Sequence, residues 1–148
     1  MNIEKELFDS VENNNIHNVK LILNHKDFYI PKNFDNCLRI VIEYGYLDIF
    51  KLLLSDDRID PNSSFISLFY LAVKFDQFDI VKLLLKDKRV DPSHDNNYII
   101  RFAYNEGYLD IVNLLWQDQR VKNSLKNHNE ELYNQLVKQN TKEKVDKF

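Results

Sequence analysis

Only two of the 148 residues are glycine, Gly45 and Gly107. They stand too far apart to form a glycine-rich loop that cradles a phosphate, so nucleotide chemistry is excluded. Cysteine is scarcer still: the single Cys37 cannot close an intramolecular disulfide, in keeping with a reducing compartment. No apolar run approaches the roughly 20 residues that span a bilayer. The start, Met1-Asn2-Ile3-Glu4-Lys5-Glu6, lacks the apolar core of a signal peptide. The expectation is a cytoplasmic chain without a membrane partner. Charge of one sign is lacking too: a net charge of -3 and a pI near 5.8 give no pull toward polyanions, so nucleic acid is not an expected partner. The histidines His17, His25, His94 and His128 never fall at a two-ligand spacing, and no metal or other cofactor is expected.

What the chain does have is self-similarity. Three segments align without gaps every 31 residues: Gly45-Tyr46-Leu47-Asp48-Ile49-Phe50-Lys51-Leu52-Leu53-Leu54, then Asp76-Gln77-Phe78-Asp79-Ile80-Val81-Lys82-Leu83-Leu84-Leu85, then Gly107-Tyr108-Leu109-Asp110-Ile111-Val112-Asn113-Leu114-Leu115-Trp116. A weaker copy begins one period upstream at Asn14-Asn15-Ile16-His17. Each block predicts a short helix with apolar residues at i, i+3, i+6 and i+7, as in Phe78, Val81, Leu84 and Leu85. Asp48, Asp79 and Asp110 fall in its first turn, where negative charge suits the helix dipole. Apolar stretches at 37–42, 68–73 and 99–104 predict a partner helix before each block. The unit is therefore helix, tight turn, helix, loop, and the fold class is all-α.

Asn14, Gly45, Asp76 and Gly107 occupy the joint between the two helices, and all belong to the few residue types that enter the left-handed region at low cost. In the loops, Asp60-Pro61-Asn62-Ser63 and Asp91-Pro92-Ser93-His94 predict type I turns. Arg58, Arg89 and Arg120 also recur every 31 residues. They read either as a basic ladder for phosphate groups or, better, as local and inter-repeat ion pairs with neighbouring aspartates such as Asp56, Asp87 and Asp118.

The motif Gly-Tyr-Leu-Asp-Ile-Val-x-Leu-Leu, following a helix with Ala72-Val73 or Ala103-Tyr104, resembles the ankyrin repeat across residues 14 to 121. Its inner helices depart from the family, starting Asn36-Cys37-Leu38-Arg39, Ser67-Leu68-Phe69-Tyr70 and Tyr98-Ile99-Ile100-Arg101 in place of Thr-Pro-Leu-His. The loops are similar to those of the ankyrin arrays that amoebae and their giant viruses encode, which would place the protein in host-cell cytoplasm. The resemblance implies a solenoid of about four repeats in a single domain over 1–139. It has a cap at 2–13, repeats at 14–44, 45–75, 76–106 and 107–121, a closing helix at 128–139 with Leu132, Leu136 and Val137 facing in, and a frayed polar tail at 140–148.

It further implies a monomeric protein-binding module, adaptor or decoy, whose partner docks on the concave face of turn tips and inner-helix ends. Carried over by position, that face holds Glu43, Tyr44, Ile66, Lys74, Phe75, Asp95, Asn97 and Asn105, with Ser63 and Ser64 beside them. Tyr44 and Phe75, one period apart, read either as interface anchors ringed by polar groups or as rings folded back over a neighbouring helix. An open groove that excludes little water is a poor place for catalysis, so no enzyme is expected and Cys37 reads as a structural thiol. The competing functions are a self-assembling structural protein and, further off, a small helical enzyme or nucleic-acid binder.

Overall fold

A computed structural model describes residues 2–62 and 67–145, with side chains as far as residue 141. Among these are ten α-helices and no strand: α1 (Ile3–Glu12), α2 (Ile16–Leu23), α3 (Phe34–Glu43), α4 (Leu47–Leu54), α5 (Leu68–Lys74), α6 (Phe78–Lys86), α7 (His94–Glu106), α8 (Leu109–Gln117), α9 (Gln119–His128) and α10 (Glu130–Val145). None of the described helices is long and apolar enough to cross a membrane. The chain forms two compact units, Met1–Val90 and Asp91–Phe148.

In the first unit three helical hairpins pack in chain order. Helices α1, α3 and α5 touch in one layer, α2, α4 and α6 in the other. The outer helices start at Ile16, Leu47 and Phe78, and α8 of the second unit at Leu109, so the 31-residue period is a period of helices. Three of these helices bury a stripe at i, i+1 and i+4, Ile49, Phe50 and Leu53 in α4, Ile80, Val81 and Leu84 in α6, and Ile111, Val112 and Leu115 in α8, while α2 buries Val19, Ile22 and Leu23. Phe78, expected on that stripe, is instead 39% exposed at the first helical position.

Every inner helix ends in the same way. The backbone turns left-handed at Asn14, Gly45, Asp76 and Gly107, with φ of 49°, 67°, 53° and 78°. Two N–H groups then close back on the last turn, as in Gly45 to Ile42 at 3.1 Å and Tyr46 to Val41 at 2.8 Å, or Asp76 to Val73 at 3.0 Å and Gln77 to Ala72 at 2.8 Å. Carbonyls that the helix end would orphan are thereby satisfied. Asp60 and Asp91 fix the loops through their carboxylates, which accept from the backbone N–H of Asn62 and Ser93, both at 2.9 Å.

The second unit departs from the repeat arithmetic. Helix α9 follows α8 with only Asp118 between them; its carboxylate caps α9 by accepting from the Arg120 N–H at 2.8 Å. Helix α9 packs on α7 and α8, and α10 packs on α9. The closing helix expected at about 128–139 begins at Glu130, and an unforeseen helix precedes it. Leu132 and Leu136 are buried as expected, but Val137 is 38% exposed. Residues 140–145, expected to fray, continue α10.

Candidate interaction surface

The recurring arginines belong to the scaffold. Arg89 forks onto Asp87, with Nε to Oδ1 at 3.0 Å and a terminal nitrogen to Oδ2 at 2.7 Å, and also donates to the carbonyls of Leu54 at 2.8 Å and Ile59 at 3.0 Å. Arg58 repeats the arrangement with Asp56 and the Leu23 carbonyl at 2.7 Å, its guanidinium 4.5 Å above the Phe28 ring. Arg120 forks onto Asp118. Leu23 and Leu54 are the last residues of α2 and α4, where orphan carbonyls and the helix dipole favour a cation. Hydrogen bonds from the arginine side chains hold the carboxyls of Asp56, Asp87 and Asp118 below the usual carboxylate range.

Cys37 is a free, buried cysteine. It is 1% exposed, and burial pushes its thiol up to about 11, with smaller contributions from the charges of Glu12 and Glu4. Such a thiol is protonated at neutral pH and is not poised as a nucleophile.

The solvent-facing columns of the inner helices remain. Positions one period apart carry Phe8, Arg39 and Tyr70, then Glu12, Glu43 and Lys74, then Asn13, Tyr44 and Phe75. In the first unit a groove runs between α1 and α3, with Phe8, Glu12, Arg39, Glu43, Tyr44 and Tyr46 among its lining residues. Tyr44 is 65% exposed and stacks on Tyr46 with ring centroids 5.7 Å apart and planes 19° from parallel. Arg39 reaches the Glu43 carboxylate at 3.7 Å. On α5 the Lys74 ammonium sits 5.6 Å from the centre of the half-buried Phe75 ring and 5.9 Å from that of Tyr70.

No family model, curated protein or solved structure matches the chain.

Of the residues expected on the face, Tyr44, Lys74, Asp95 and Asn105 are exposed and Phe75 is half-buried. Ile66, Ser63 and Ser64 lie outside the described residues. Asn97 does not belong on the surface. Asp95, Asn96 and Asn97 are all left-handed, and the turn they make carries the Asn97 side chain inside, where its amide donates to the Ser124 hydroxyl of α9 at 2.9 Å. The Asn97 Oδ1 and the Nε of Arg101 one turn later are buried without a hydrogen-bond partner among the described residues.

The sequence does not mark Phe8, Glu12, Arg39 and Tyr46 as face residues, because the resemblance makes 2–13 a cap and hides the groove that α1 forms with α3. The signal was present: Ile3, Leu7 and Val11 precede Phe34, Leu38 and Ile42 by one full period, and all six are buried.

Proposed function

We propose that the chain is an ankyrin-type helical repeat module that binds another protein through the exposed inner-helix face. The observation that carries this reading is the aromatic pair Tyr44–Tyr46 beside an open groove of charged and amide side chains. A large apolar ring left in water amid polar neighbours is the composition of an interface centre. The regular helix starts and left-handed inner-helix ends support the repeat assignment. They supply a rigid frame, while the residues that face outward differ from copy to copy, so the frame and the recognition surface are separable.

Affinity capture from a cell extract, with the parent chain beside Tyr44→Ala and Phe75→Ala, tests the reading. The expected result is a retained protein whose binding weakens by more than about 1 kcal/mol in each variant, with the melting temperature of Tyr44→Ala unchanged. Capture indifferent to both substitutions would remove this face from consideration. Light scattering on the purified chain separates this function from self-assembly.

A further inference from the structure

Helices α1 and α3 break a rule that α5 obeys. A helix C-terminus carries partial negative charge and is favoured by a cation in its last turn. Helix α5 ends in Lys74, whose ammonium also lies over the rings of Tyr70 and Phe75. At the equivalent position α1 ends in Glu12 and α3 in Glu43, and neither has a basic residue in its last turn. The two helices are packed neighbours, so both carboxylates and both dipole ends border one groove. Arg39 answers Glu43 at 3.7 Å, while Glu12 has no ion-pair partner among the described residues. The ring of Tyr44, equivalent to Phe75, has no cation above it among the described residues. The molecule thus shows at α5 how a cation completes such a helix end, whereas at α3 the Glu43 carbonyl accepts from the neutral Gln77 amide at 3.3 Å and no cation among the described residues takes the place that Lys74 takes at α5.

We propose that the groove between α1 and α3 docks an arginine side chain of the partner, engaging the carboxylates of Glu12 and Glu43 and lying on the exposed face of Tyr44. This deepens the protein-binding reading and rests on it. Arginine fits better than lysine: a planar guanidinium extends the near-parallel Tyr44–Tyr46 stack and pairs with a carboxylate through two parallel hydrogen bonds. Desolvation between the stack and the helix ends strengthens both contacts.

The test is a nuclear magnetic resonance titration of the isotopically labelled full chain with a capped glycine–arginine repeat peptide, and with the same peptide carrying neutral citrulline for arginine. The Gly45 amide, between Tyr44 and Tyr46, reports on the groove, and Gly107 serves as the internal control. The arginine peptide should shift Gly45 saturably and leave Gly107 still, and citrulline should abolish the effect. Glu12→Gln with Glu43→Gln should weaken binding about ten-fold without lowering the melting temperature, and Tyr44→Ala should weaken it independently. Equal binding of the citrulline peptide, or an unchanged affinity in the double glutamine variant, overturns the arginine assignment while leaving protein binding through this face intact. Absence of any Gly45 shift also overturns it, and the capture experiment then decides the broader reading alone.

Discussion

The sharpest chemistry at the residue scale is the arginine clasp. Each guanidinium is shared between a carboxylate two residues back and, for Arg58 and Arg89, a helix-end carbonyl of the preceding hairpin. Asp87 therefore holds Arg89 in the geometry that stitches one hairpin to the next; the charges of Asp57 and Asp60 in the preceding loop add to the field on Arg89. Because the folded state lowers the pKa values of Asp56, Asp87 and Asp118, their contribution to stability is complete above the unfolded carboxylate value of about 4. It is lost as pH falls through the lower folded values. The melting temperature should be insensitive to these groups near neutrality and should fall below about pH 4. Asp87→Asn should lower it at neutral pH and flatten the acid limb. An acid limb of parent slope in that variant would show that the clasp contributes nothing.

At the scale of elements, α4 and α6 each bury a short stripe of three residues, against five each in the inner helices α3 and α5. Leu84 of α6 is fully buried on a stripe with Ile80 and Val81. Leu84→Ala should cost roughly 2–5 kcal/mol by removing apolar contacts and leaving a cavity, read as a lower midpoint in urea. A midpoint equal to the parent's would contradict the stripe. The helices most legible in the sequence were those with dense apolar stripes and a left-handed residue before them, and α4, α6 and α8 stand where the period puts them. Helix α9 was illegible because Val121 and Leu125 are its only buried residues and Asp118-Gln119-Arg120 repeats a loop motif. There the same aspartate that anchors a loop in earlier copies starts a helix. The buried Asn97 was hidden for another reason: three successive left-handed residues are a backbone choice that no side-chain pattern announces. The groove was half legible, since Tyr44 and Glu43 follow from register with Phe75 and Lys74, whereas Phe8 and Glu12 required α1 to be an inner helix.

At the scale of the folded unit, stacking hairpins must be stopped from stacking indefinitely. Positions that bury Cys37 and Leu68 on α3 and α5 hold Glu6 on α1, and those filled by Ile40 and Leu71 hold Asp9; both acids are exposed. With Ser10, Asn18 and His25 they line a shallow groove beside Leu21, which is 58% exposed. This side of the α1–α2 hairpin keeps the apolar residue of its outer helix but carries charge where later inner helices are apolar, a composition that disfavours a further hairpin stacking there. Restoring the repeat chemistry with Glu6→Leu and Asp9→Ile should create an apolar face of the kind later hairpins bury. Since that face is complementary to the opposite side of a hairpin and not to itself, association should be head-to-tail and open-ended. Sedimentation velocity should show mass rising with concentration in the double variant and a constant mass in the parent. A double variant that sediments as the parent does would mean that charge at Glu6 and Asp9 is not what stops the stack.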